Sequence, residues 1–151
     1  MRISIGFVGF LLAASICFAS SPPKAAKSQY LRTTGAGFLL SEVDGAIYAM
    51  NYEVRKPFPS RVFCVATFDN PEAPDTPLRK AFEVSPDAVD IQIQSPGIHS
   101  IRNNSRYKVR VVMYLDADHT KKLSHHDQEV LFSMPLEILD QLLKQFGLKI
   151  Q

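Results

Sequence analysis

Every second residue from Tyr107 to Leu115 is apolar, and Lys108 and Arg110 occupy intervening positions. Side chains of a β-strand point alternately to its two faces, so this spacing predicts a strand with one face in a hydrophobic core. A sheet that is apolar on one face is stable only when a second layer covers that face. The chain is therefore expected to build a layered structure around this strand.

Six further segments have strand character: 38–40, 48–55, 61–68, 78–84, 89–93 and 128–134. In the second of these, Tyr48, Met50 and Tyr52 alternate with small or polar residues. Turn-forming residues separate the segments, notably Asp44-Gly45 and the three prolines within residues 69–77. About seven short strands with turns between them predict a mainly β fold, an antiparallel β-sandwich, rather than a parallel sheet.

The C-terminal segment has a helical period instead. Its apolar residues recur at the spacing of one helix face: Leu136, Leu139, Leu143 and Phe146. Pro135 suits the first turn, where its missing N–H is not needed, and Gly147 suits the left-handed position after a helix. The pattern predicts an amphipathic helix over residues 135–147. We expect it to cover its own sandwich, and the alternative is that the same four residues bind a partner.

The first residues are typical of a secretory signal peptide. Arg2 precedes an apolar run from Ile3 to Phe18, and Cys17 and Ala19 are small residues at the −3 and −1 positions of a cut after Ala19. The run is shorter than the roughly 20 residues of a transmembrane helix. We therefore predict a signal peptide at 1–19, a flexible leader at 20–34, rich in Ser, Pro, Lys and Ala, and one folded domain at 35–151. The expected location is the periplasm or the extracellular medium.

The two cysteines have different expected fates. Cys17 leaves with the signal peptide; a lipoprotein anchor on Cys17 is disfavoured because Ile16 stands where such signals have a small residue. Cys64 then remains alone, so no disulfide within the chain is possible. Because it lies in the apolar run 62–66, we expect it to be a buried core residue.

The charge balance gives no reason to expect nucleic acid or an anionic membrane as partner. Without Arg2, the 17 basic residues become 16, against 15 acidic ones. Glycine-rich phosphate loops and a Gly-x-Ser-x-Gly nucleophile motif are absent from the sequence. We therefore expect a protein that is not an enzyme and has no cofactor, apart from the metal hypothesis below.

Residues 98–111 resemble the turn between two strands that immunoglobulin-like and fibronectin type III domains share. There an aliphatic residue precedes a tyrosine by six positions, as Ile101 precedes Tyr107, and alternating valines follow, as Val109 and Val111 do. In those domains the tyrosine ring packs in the core and its hydroxyl bonds to backbone a few residues upstream. The resemblance implies an immunoglobulin-like sandwich with a binding or scaffolding role and no catalytic residues. The tryptophan usual in such domains is missing, and the C-terminal helix is additional.

A polar cluster occupies residues 116–127, which we predict to be a loop. It contains His119, His125 and His126 together with Asp116 and Asp118. If the two ends of the loop meet, two imidazoles and a carboxylate can bind zinc or another transition metal. Without rigid ligand spacing, and with two lysines inside the cluster, the alternative is a solvated loop that binds nothing.

The sequence thus favours an exported, non-enzymatic binding or accessory module that acts through protein contacts. One alternative is a metal-handling periplasmic protein that uses the loop at 116–127. A second is a small inhibitor or immunity protein that blocks an enzyme with a loop. The proline-rich segment 69–77 is a candidate recognition loop, because a restricted loop loses less entropy on binding.

Overall fold

The computed structural model describes residues 28–150. The predicted signal peptide, with Cys17, and the leader up to residue 27 lie outside the described residues. The described part contains nine strands and one helix: β1 Leu31–Ser41, β2 Gly45–Val54, β3 Val62–Phe68, β4 Leu78–Val84, β5 Asp90–Gln94, β6 Ser100–Ile101, β7 Ser105–Tyr114, β8 Lys122–Phe132, α1 Leu136–Phe146 and β9 Lys149–Ile150.

Seven of these strands form two antiparallel sheets. One has the order β1-β2-β5, and the other has the order β4-β3-β7-β8. Buried side chains of both sheets form one hydrophobic cluster. Rings meet across the two layers: the Tyr48 and Tyr107 centroids are 6.0 Å apart, and those of Phe38 and Phe132 are 5.3 Å apart. The predicted antiparallel β-sandwich is confirmed.

The alternation within strands has the expected effect on burial. Tyr48, Met50 and Tyr52 of β2 are each 1% exposed or less, as are Val109 and Val111 of β7. The shorter β3 alternates in the same way, although its sequence is nearly uniformly apolar. Because it lies between β4 and β7, its outward side chains are only half buried rather than exposed.

Strand β1 is much longer than the predicted segment 38–40. It begins at Leu31, within the segment that we predicted to be a flexible leader, and Tyr30 before it is already buried. The boundary at residue 34 was therefore wrong. A β-bulge between Thr33 and Gly35 interrupts the alternation, so that both parts of β1 turn their apolar side chains inward but no single period-two pattern spans them.

The predicted loop at 116–127 is also shorter than expected. Strand β8 already begins at Lys122, because the chain turns back within a few residues of Asp116. The predicted C-terminal helix is confirmed over Leu136–Phe146, with Gly147 in the left-handed conformation at φ 64°. After it, β9 pairs in parallel with β6, which the sequence did not predict. Within residues 28–150, no helix combines the length and apolar character needed to span a membrane.

Candidate functional site

The C-terminal helix α1 is held against the sandwich by one side. Leu139 is 2% exposed, and three further apolar side chains are partly buried against the core: Leu142, Leu143 and Phe146. Gly147 then reverses the chain, and the Lys149 N–H donates to the His99 carbonyl at 2.7 Å. The helix is therefore fixed along its inner side and at its C-terminal end.

Two apolar side chains in the first turn of α1 remain in solvent. Leu136 is 73% exposed, although we predicted that it shares a face with the buried Leu139, and Ile138 is 43% exposed. Leu136 does lie on the same side of the helix as Leu139, since residues three apart are neighbours. It is nevertheless exposed, whereas Met134 before the helix and Leu139 one turn later are buried in the core. The sequence pattern did not identify Ile138.

Tyr107 ties the core to the turn before β7. Its ring is buried, and its hydroxyl accepts a hydrogen bond from the Arg102 N–H at 2.7 Å and donates to the Arg102 carbonyl at 3.2 Å. Ile101, next to this carbonyl, is fully buried. One hydroxyl thus satisfies both backbone groups of a residue that is in no strand.

Asn103 links the same turn to the segment before α1. Its amide donates to the Met134 carbonyl at 2.9 Å and accepts from the Met134 N–H at 3.0 Å, so the side chain pairs with the backbone as a neighbouring strand does. The base of the helix is therefore attached to the turn that Tyr107 holds. Sequence reasoning missed this role, because nothing in the pattern distinguishes Asn103 from an ordinary turn asparagine.

The proline-rich loop 69–77 lies at the same end of the sandwich. The Asn70 side chain donates to the Thr76 carbonyl and accepts from the backbone N–H of Glu72, which closes the loop on itself. Glu72 in turn accepts a hydrogen bond from the His99 N–H at 2.8 Å. The loop is thus restricted by hydrogen bonds as well as by its prolines.

The predicted metal ligands lie in different local environments. Asp116 accepts hydrogen bonds from the backbone of Thr120 and Lys121, which build the turn, and Asp118 is exposed. His119 has a positive φ of 57°, and its ring lies 4.8 Å from that of Tyr114. In residues 28–150, no three histidine, cysteine or acidic side chains come together as a metal-binding group. Metal binding stays a prediction, which metal analysis of untagged protein would test.

His125 and His126 lie on opposite faces of β8, as adjacent strand residues do. His125 is exposed, 3.8 Å from Asp127, whose carboxylate accepts two hydrogen bonds from Arg110. His126 is 2% exposed and faces the core. Because the loop ends at Lys122, the strand period separates two imidazoles that the sequence places side by side.

His126 belongs to a buried polar cluster with Thr33, Tyr52 and Gln128. Its Nε2 is 2.8 Å from the Thr33 hydroxyl, which donates to Gln128 Oε1, so the hydroxyl must accept from Nε2–H. Nδ1 of His126 and the Tyr52 hydroxyl are buried without a hydrogen-bond partner among the described residues. Burial lowers the pKa of His126, since the charged form is disfavoured there. The cluster connects β1 to β8 across the sandwich.

Cys64 is buried on β3, 1% exposed, and has a free thiol. Burial raises its pKa to about 12. The thiolate, which is the reactive form, is therefore strongly disfavoured in the folded protein.

Comparison with known proteins does not assign the chain to a family. No family model matches the chain, and no curated protein is found to be similar to it.

Proposed function

We propose that the protein is an exported, non-enzymatic binding or accessory module that acts through protein–protein contacts. The observation that carries this proposal is the first turn of α1, where Leu136 and Ile138 are 73% and 43% exposed. Both are large apolar side chains that the domain itself leaves in solvent, where a partner can cover them. Because they are two positions apart, they project to different sides of the first helical turn. Here they project from a helix that is fixed to the domain by Leu139 and by the strand pair β6 and β9.

The proposed contact surface differs from the set suggested by helical spacing. Leu139 is buried in the core, and Leu143 and Phe146 are partly buried against it. These three side chains therefore hold the helix on the domain and do not face a partner. Leu136 is retained from the original set, and Ile138 is added. A fixed helix loses little conformational entropy on binding, which favours affinity.

We also infer kinship with immunoglobulin-like domains. Two features support it: the strand order β1-β2-β5 facing β4-β3-β7-β8, and the Tyr107 hydroxyl bound to backbone five residues upstream. Domains of this architecture commonly serve in binding. The kinship is compatible with the proposed role without defining the partner.

The test is capture of native complexes from the source cells with the full-length, exported protein. The Leu136→Ser/Ile138→Ser double variant should lose a partner that the unmodified protein retains. The matched control is Val89→Ser/Leu115→Ser, since these side chains are 74% and 39% exposed in the loop regions at the opposite end of the sandwich. Equal capture by both double variants would contradict the proposed surface. A captured enzyme that loses activity in the complex would support the inhibitor alternative instead.

A further inference from the structure

The four edge strands of the sandwich differ in charge. β4 carries Arg79, Lys80 and Glu83, and β8 carries several charged residues. β5 has only five residues and begins with Asp90. β1, in contrast, has an uncharged run from Thr33 to Ser41. Charges on edge strands prevent sheets from pairing with one another, so the part of β1 from Thr33 to Ser41 is the edge with the least protection by charge.

Strand β1 pairs only with β2 among the described residues, so its other edge offers backbone N–H and C=O groups. We propose that this edge pairs with β1 of a second copy of the same chain, antiparallel, about a two-fold axis at Gly37. The two three-stranded sheets then join into one sheet of six strands. A two-fold interface of this kind uses the same surface on both copies.

The axis at Gly37 follows from the order of large and small residues. In this register Gly35 of one copy lies opposite Leu39 of the other, and Ala36 lies opposite Phe38. Each large side chain therefore meets a small one, while the two Gly37 residues face each other. With the axis at Phe38 instead, two phenylalanines oppose one another on the inner face, where Phe38 already contacts Tyr48 and Phe132.

The charges at the ends of the uncharged run fit the same register. The bulge after Thr33 takes up one residue, so Arg32 of one copy lies opposite Ser41 of the other, directly beside its Glu42. Glu42 is exposed, and the Arg32 side chain, which pairs with Glu53 of its own chain, is still 62% exposed. Each end of the paired segment therefore brings opposite charges together, whereas a parallel arrangement would bring like charges together.

Gly37 provides the test, because a side chain there does not disturb the monomer. A Cβ added at Gly37 has no atom within 4 Å, and its φ lies outside the left-handed region. In the proposed dimer, Gly37→Lys places two like charges directly opposite each other, which destabilises cross-strand pairs. Gly37→Glu does the same with the other sign, and an equimolar mixture of the two variants pairs opposite charges.

The experiment is sedimentation equilibrium of the mature chain over a range of concentrations, with melting curves as the check on folding. We expect a dimer for the unmodified protein and a dissociation constant about fivefold higher for either variant alone. The mixture should regain the affinity, as a heterodimer. Gln92→Lys, exposed on β5 at the other edge of the same sheet, is the charge-matched control and should dimerise normally.

Three outcomes would overturn the proposal. The first is a monomer at every concentration. The second is a dimer that neither Gly37 variant weakens and that shows no preference for the mixed pair, since its interface then lies elsewhere. The third is a protein that dimerises only after residues 20–27 are removed, which would show that this segment, rather than a second copy, covers the edge.

Discussion

At the scale of single residues, Tyr107 combines two contributions that a substitution can separate. The ring fills core volume between the sheets, and the hydroxyl satisfies the N–H and the C=O of Arg102. The first contribution depends on ring size and the second on one oxygen. One substitution can therefore measure the energy of the hydroxyl's hydrogen bonds, and another the energy of burying the ring.

We expect Tyr107→Phe to lower the free energy of unfolding by about 1–2 kcal/mol, since it removes only the hydroxyl and leaves the Arg102 backbone without that partner. Tyr107→Ala should lower it by about 3–5 kcal/mol, because it also leaves a cavity. Urea denaturation of both variants measures the difference. Small and equal losses would show that the ring is not part of the core.

His126 makes a second residue-scale contribution, one that depends on pH. Its pKa in the folded protein is lowered by burial. Hydrogen bonding with Gln128 and the charge of Asp127 oppose this shift, and His125 adds to it. Three uncharged groups also face the imidazole: Thr33, Gln128 and the Tyr52 ring. None of them is placed to accept a hydrogen bond from Nδ1. Protonation would therefore bury a charge whose Nδ1–H has no acceptor among the described residues.

In the unfolded chain His126 has its ordinary pKa near 6.5, so as pH falls the unfolded state binds a proton at this residue before the folded state does. The stability provided by neutral His126 is complete above that value and is lost as pH falls toward the lower folded pKa. Between pH 7 and 5, His126→Gln should flatten the decline of unfolding free energy with acid. His125→Gln, on the exposed face, should change the slope much less, because His125 is only a minor cause of the shift. A slope that depends on His125 instead would contradict this assignment.

At the scale of elements, α1 allows the contribution of leucine burial to the free energy of unfolding to be measured with an internal control. Leu139 and Leu136 are the same residue type on one side of one helix, but they are 2% and 73% exposed. Leu139→Ala should lower the free energy of unfolding by about 2–5 kcal/mol. Leu136→Ala should change it by about 0.5 kcal/mol or less. Chemical denaturation of the isolated protein compares them, and similar losses would mean that the helix packs differently.

Elements with one uninterrupted period were predictable from the sequence. β2, β7 and α1 each keep a single spacing over their whole length, so their type follows directly, and so does their buried side, apart from the exposed Leu136. β1 was underestimated because Gly35, Gly37 and the bulge after Thr33 hide its alternation. The pairing of β9 with β6 was not predictable, because two residues carry no period and their partner lies about fifty positions earlier.

The candidate site was less predictable than the fold, since its members depend on where elements begin. His125 and His126 look equivalent in a polar stretch, and only the start of β8 at Lys122 sends one outward and the other into the core. Similarly, helical spacing assigns Leu136 to the buried face, but its side chain is 73% exposed in the first turn of α1. Asn103 required knowledge of Met134, which is distant in sequence.

At the scale of the whole molecule, the prediction that matters first is processing. The pattern Cys17-Phe18-Ala19 predicts that the exported protein begins at Ser20. Intact-mass spectrometry of protein recovered after export should show the 132 residues that remain when 19 are removed from 151. A diacylated species that begins at Cys17 would contradict the prediction and would place the domain on a membrane surface.

The buried position of Cys64 allows its thiol to be used as a probe of cooperative unfolding. Cys64 lies on β3, between β4 and β7, and its side chain is buried in the core between the two sheets, so a reagent reaches this thiol only when the sheets separate or the four-stranded sheet opens. Fraying of α1 or of the edge strand β1 leaves the rest of the core closed over this thiol. The rate of thiol alkylation under native conditions therefore measures global opening, while amide hydrogen exchange at β1 and α1 measures local opening. The two rates together would show whether the sandwich unfolds as one unit or sheds its outer parts first.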